Sequence, residues 1–181
     1  QAILTHNKHN TGTDRIFEAV EKLGKSNIDL IMNLQGDEPI ININDIQNLN
    51  NQMIKNKSKL GTLASEIFNN DLLENPNVVK VITKEILTND NFLEAIDFKR
   101  KVFEKNKKIY HHLGIYCYEI ETLKQFVSYK QSFNEKKNKL EQLRALDNNI
   151  KINVALAKSS SVGVDTEEDF VALKKIMEYK P

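Results

Sequence analysis

Ile28-Asp29-Leu30-Ile31-Met32-Asn33-Leu34-Gln35-Gly36-Asp37-Glu38-Pro39 is a short apolar run that stops on an amide, a glycine, two carboxylates and a proline. Ile28 to Leu34 predicts a short, fully buried strand, and Gly36 to Pro39 the turn that ends it. Upstream, Ile16, Phe17, Val20 and Leu23 recur at helical spacing behind Thr11-Gly12-Thr13. Thr11 or Thr13 can cap that helix and Gly24 can end it. Downstream, Ile46, Leu49, Met53 and Ile54 predict a second helix, followed by strands over Leu60 to Ile67 and Val78 to Thr83. Strands alternating with helices give an α/β chain, a sheet with helices on its faces. In such sheets ligands bind in loops beyond the carboxyl ends of strands, where Gln35 and Asp37 stand.

Residues 84–108 are rich in Lys, Asn and Asp and predict no clear element. Ile109 to Ile120 reads as a strand and Thr122 to Tyr129 as a helix. Leu140, Leu143 and Leu146 form a helical stripe within 135–147. Ile150, Ile152, Val154 and Leu156 alternate as in a half-buried strand. Thr166, with Asp169 three residues on, opens a last helix through Met177. The 181 residues suffice for one domain with a sizeable core. Lys+Arg number 26 against 25 Asp+Glu, so the chain lacks the basic field of nucleic-acid binders. Cys117 is the only cysteine, which excludes an internal disulfide and argues against a cysteine-based metal site. No uninterrupted apolar run approaches bilayer length, so a soluble, cytoplasmic protein is expected. The chain opens at Gln1 as if a strand or turn were entered midway, and an N-terminal segment is expected to be missing.

Four constellations can carry chemistry. Asp37 can offer oxygens to a hard cation such as Mg²⁺, though the same residues also make an ordinary polar turn stiffened by Pro39. Asp165, in Ser161-Val162-Gly163-Val164-Asp165-Thr166, precedes a helix cap and would complete a carboxylate pair for one Mg²⁺. In the strand Tyr110 to Tyr118, alternation puts Leu113, Ile115 and Cys117 on a core face. His112, Gly114 and Tyr116 share the other face, with room across the glycine for a polar ligand. A half-exposed strand with amphipathic aromatics is the other reading. Leu140-Glu141-Gln142-Leu143-Arg144 turns its leucines to the core and leaves Glu141 and Gln142 side by side, as a polyol site or as plain surface. Arg15 is a candidate anion partner and equally plausible as a surface charge.

Together these stretches resemble the 3-deoxy-manno-octulosonate cytidylyltransferases, or CMP-Kdo synthetases. The resemblance rests on His9 to Arg15, Asn33 to Pro39, Asn75-Pro76-Asn77-Val78-Val79-Lys80, His112 to Tyr116, Leu140 to Ala145 and Gly163-Val164-Asp165-Thr166, in the family's order and over nearly the whole chain. It implies a nucleotidyltransferase (Rossmann-like) mixed α/β sheet flanked by helices, a single domain over 1–181 lacking the family's first strand and phosphate loop. It implies transfer of CMP from CTP to the anomeric hydroxyl of Kdo, giving CMP-Kdo and pyrophosphate for lipopolysaccharide biosynthesis. Asp37 and Asp165 match the family's Mg²⁺-binding, catalytic aspartates. Thr11, Gly12 and Arg15 match its nucleotide-side loop, and Gln35, His112, Tyr116, Glu141 and Gln142 match positions associated with the sugar. A homodimer is implied, with no nucleic acid or membrane as partner. One departure is that the family's arginine before an Ile-Pro pair has no counterpart in Phe92 to Arg100, where Lys99 or Arg100 could substitute. The alternatives are a cytidylyltransferase for a related 2-keto acid sugar, or a non-catalytic nucleotide-binding or dimerisation module.

Overall fold

In chain order, the computed structural model of the protein has α1 (Gly12–Leu23), β1 (Leu30–Asn33), α2 (Ile43–Asn56), β2 (Leu60–Ser65), α3 (Asp71–Glu74), β3 (Lys80–Thr83), β4 (Leu93–Lys99) and β5 (Ile109–Glu119). These are followed by α4 (Ile120–Ser128), α5 (Phe133–Asn138), α6 (Leu143–Asp147), β6 (Asn153–Leu156) and α7 (Glu167–Glu178). The structure describes residues 2–25, 27–36, 41–103, 106–158 and 167–178.

The α/β expectation holds, and the sheet is mixed. Its order is β1-β5-β2-β6-β4-β3, with β3 also pairing with β5. Among the described residues only β2 and β6 pair in parallel. The long β5 takes β2 along one edge. It shares the other between β1, at 116–119, and β3, at 109–111. Since β1 and β2 both run against β5, and β6 runs with β2, the carboxyl ends of β1, β2 and β6 leave the sheet at one end. Ala157 continues there by donating its N–H to the Ala64 carbonyl, and the Lys158 N–H donates to Asp45 Oδ1 at the start of α2.

Local chemistry explains the elements. Thr11 caps α1 by accepting from the Asp14 N–H, worth about 1 kcal/mol, and Gly24 closes it with φ of 61°, where a side chain would be strained. Gly61 lets α2 lie close on β2, because a Cβ there would stand 2.7 Å from both Met53 Sδ and Phe92 Cζ. One face of the sheet buries Leu60, Tyr116, Tyr118, Leu123, Phe126 and Leu143. The opposite face packs Leu63, Leu113, Ile115 and Cys117 on Leu49 and Met53 of α2.

Five expectations need correction. β1 is an edge strand of mostly partial burial, not a fully buried one, and Leu34 beyond it is exposed, because among the described residues β1 has a strand partner on one side alone. Ile54 lies off the buried side of α2 and faces solvent. Residues 84–108 contain β4, hidden by burial restricted to Ala95 and Phe98. The helix over 135–147 is two, broken where Lys139 takes φ of 53°. The His112–Tyr116 face of β5 is buried rather than half-exposed, since residues from α4, α6 and the sheet itself cover it. Thr166 lies outside the described residues.

Candidate active site

β5 organises the site. Phe98, His112, Tyr116, Tyr118 and Phe126 form a continuous row of rings, with successive centroids 5.0, 5.4, 5.9 and 5.9 Å apart. The room expected beside Gly114 is taken by Gln35, whose amide lies 3.2–3.5 Å from where a Cβ would be. A Cβ at Gly114 would therefore press on the end of the Gln35 side chain, which lies over β5 at this point.

The ring row lies within electrostatic reach of Glu141, in the turn before α6, whose charge acts on Tyr116 and Tyr118. Burial pushes the Glu141 carboxyl up, against the pull of the Thr13 and Thr11 hydroxyls and the Arg144 guanidinium. Its Oε1 is buried and has no hydrogen-bond partner among the described residues. An unpartnered buried carboxylate oxygen is costly and is poised to accept from a polyol hydroxyl. Burial, with Tyr118 and Glu141 adding, raises Tyr116 well above the ordinary phenol range. Tyr118 is raised too, by burial and then by Glu141, and its hydroxyl lies 3.5 Å from Thr13 Oγ1. Both are neutral hydrogen-bonding groups. His112 is neutral too, pushed down to about 3 by burial and then by His111.

Of the residues expected at the sugar, Gln35, His112, Tyr116 and Glu141 thus meet around β5, and Gln142, buried, adjoins Glu141 in the turn. Of those expected at the nucleotide, Thr11 touches this group through Glu141 while also capping α1. Gly12 borders open space. Arg15 is turned away, donating to Thr5 Oγ1 at 2.7 Å and the His6 carbonyl at 3.0 Å. Asp37 and Asp165 lie outside the described residues. Among the described residues no cluster of three or more His, Cys, Asp or Glu side chains is placed to hold a metal ion, and no helix is long and apolar enough to cross a membrane.

Arg100 does not offer a free guanidinium in place of the family's arginine. Its three nitrogens donate to the carbonyls of Asn138, Pro76 and Lys139. Lys99 is exposed and pairs with Asp97 at 3.4 Å.

Sequence reasoning missed Arg144, buried and bidentate on Glu135 at 2.9 and 2.6 Å, 3.4 Å from Asp14 and stacked 4.6 Å over Phe126. It joins α1, α4, α5 and α6 behind Glu141. The available signal was an arginine flanked by Leu143 and Ala145 inside an apolar stripe. Thr62, fully buried against His112, was missed as well, its only signal being a lone hydroxyl in an apolar strand. An open cavity of about 320 Å³ lined by Lys8, His9, Asp14, Lys130 and Arg144 contains none of the expected site residues.

The profile of the cytidylyltransferase family matches residues 1–152. A 3-deoxy-manno-octulosonate cytidylyltransferase of Thermodesulfovibrio yellowstonii is 42% identical over 98% of this chain and 73% of its own length. The Bartonella bacilliformis protein of the same name is 37% identical, over 97% of this chain and 72% of its own. A solved structure of CMP:2-keto-3-deoxy-manno-octonic acid synthetase complexed with CTP superposes with a TM-score of 0.82 at 31% identity, over 98% of this chain and 72% of that one. With the profile over most of its length and relatives this close, the chain belongs to the cytidylyltransferase family, among its 3-deoxy-manno-octulosonate cytidylyltransferases.

Proposed function

We propose that the protein transfers CMP from CTP to the anomeric hydroxyl of Kdo, giving CMP-Kdo and pyrophosphate for lipopolysaccharide assembly in the cytoplasm. The observation that carries this reading is the pair of relatives named 3-deoxy-manno-octulosonate cytidylyltransferase, at 42% and 37% identity over nearly the whole chain. The convergence of Gln35, His112, Tyr116 and Glu141 on β5 supports it from the geometry.

Kdo is a polyol with one carboxylate, so its site must satisfy many hydroxyls without adding a reactive nucleophile. Glu141 supplies an acceptor, the neutral Tyr116 a donor and acceptor, and the Gln35 and Gln142 amides both kinds. Holding the sugar this way aims its anomeric oxygen at the α-phosphorus, and positioning lowers the barrier by removing orientational freedom. On the nucleotide side, the open backbone at Gly12 and the first turn of α1 behind Thr11 can face phosphate oxygens. Asp37 and Asp165 would hold Mg²⁺, since carboxylates are the donors a hard cation prefers. Each follows a strand, β1 or β6, and those strands run in the same direction. When bound, the cation screens the triphosphate and eases ionisation of the attacking hydroxyl. A homodimer, carried by the family resemblance, is part of the reading.

Pyrophosphate release by the full-length enzyme tests it. Release should require CTP, Kdo and Mg²⁺ together, and Asp37→Asn or Asp165→Asn should abolish it. Release without Kdo would overturn the substrate reading, and normal turnover in either variant would overturn the metal assignment.

A further inference from the structure

Thr62 is fully buried in β2, and its hydroxyl faces three groups. Oγ1 lies 2.7 Å from the Ile115 carbonyl, 3.3 Å from the Leu113 carbonyl and 3.0 Å from His112 Nε2. A hydroxyl has one hydrogen and two lone pairs. Two oxygens 2.7 Å apart are attractive only with a hydrogen between them, so the hydrogen lies toward Ile115. Oγ1 therefore meets His112 with a lone pair, and Nε2 must donate. Because the imidazole is neutral in these apolar surroundings, a hydrogen on Nε2 leaves Nδ1 bare. Nδ1 has no hydrogen-bond partner among the described residues. Phe98, edge-on, and Tyr116 hold the ring from its sides.

We propose that Thr62 is a positioning residue that fixes His112 as the Nε2–H tautomer, so that Nδ1 accepts a hydrogen from a hydroxyl of the sugar. The inference rests on the assignment of His112 to the sugar site. The β2–β5 register changes between Thr62 and Leu63, which is how one side chain reaches both the Leu113 and Ile115 carbonyls. An acceptor fixed in this way also discriminates between substrates. It takes a sugar bearing a hydroxyl or an amine at that position and rejects one bearing fluorine or an ether oxygen.

Long-range ¹H–¹⁵N correlation on full-length enzyme labelled at histidine nitrogen reads the tautomer directly. In the wild type, His112 should show a pyrrole-type Nε2 and a pyridine-type Nδ1, unchanged from about pH 5 to 8. Thr62→Val should populate the Nδ1–H form and raise the KM for Kdo about tenfold, the worth of one hydrogen bond, with the KM for CTP unchanged. Thr62→Ser should restore both. A proton on Nδ1 in the wild type would overturn the proposal, and that spectrum needs no variant to fold. A Thr62→Val enzyme with wild-type tautomer and KM would overturn it as well. If Thr62→Val shifts the tautomer but leaves the Kdo KM untouched, the hold on His112 stands and the placement of His112 at the sugar falls.

Discussion

Replacing Arg144 with methionine removes a cation whose bidentate partner is nearly sealed from water. Arg144 and Glu135 are 1% and 3% exposed. The change deletes two charge-assisted bonds of 2.9 and 2.6 Å and leaves Glu135 with the Ser132 N–H and the Gln131 amide, each at 3.1 Å. Stranding one member of a buried pair costs about 3–5 kcal/mol. For a chain of this size that lowers Tm by roughly 6–20 °C. The pH dependence is the sharper part. In the native protein burial pushes Glu135 up, but the bonds from Arg144, Gln131 and Ser132 outweigh it and hold the carboxyl below its ordinary value. A carboxyl depressed in the folded state contributes stability above its unfolded pKa of about 4.3 and loses it as pH falls through the folded value. Without Arg144 the burial effect dominates and the sign reverses, so the variant loses stability as pH rises past about 4.3. The stability gap, measured by urea unfolding, should therefore be widest at pH 7 and narrow toward pH 4. Adding Glu135→Gln should recover part of the loss at pH 7. An equal gap at both pH values would refute the claim that the stranded charge, rather than lost packing, sets the cost.

Gly114→Ala brings a Cβ to 3.2 Å from Gln35 Nε2, so the exposed amide must give way. Steady-state kinetics should show the KM for Kdo rising about three- to tenfold with that for CTP unchanged, up to one hydrogen bond lost. Cys117 is fully buried and its thiol is pushed up to about 11. It should resist a thiol reagent at about pH 8 in the folded protein and react fully in denaturant. Rapid labelling of the folded protein would contradict its place under α2.

The sequence shows most plainly the elements whose own residues determine them. α1 carries a Thr cap, an apolar stripe and a closing glycine within fourteen residues, and it forms as expected. β4 was illegible because its exposed Ile96 and buried Ala95 and Phe98 obey no two-residue period, its pairing with β3 being shifted between Ile82 and Thr83. The break at Lys139 is set by tertiary contacts, since Arg100, far away in the chain, grips the Asn138 and Lys139 carbonyls. Alternation correctly sorted the faces of β5, but only tertiary packing reveals that both are covered. The residues proposed for the sugar were legible as family motifs, and His112 and Tyr116 share a face of β5 through strand alternation, whereas Glu141 is brought there by tertiary packing. Arg144 and Thr62 were not legible, because what distinguishes them is the company they keep: a carboxylate nine residues away and an imidazole fifty residues away.

Oxygen tracing tests the proposed chemistry most directly. Kdo labelled with ¹⁸O at its anomeric hydroxyl, incubated with CTP, Mg²⁺ and the full-length enzyme, should give CMP-Kdo with the label in the sugar–phosphorus bridge. The pyrophosphate should carry none. Unlabelled bridging oxygen, or CMP formed with no sugar attached, would contradict attack by the anomeric hydroxyl on the α-phosphorus.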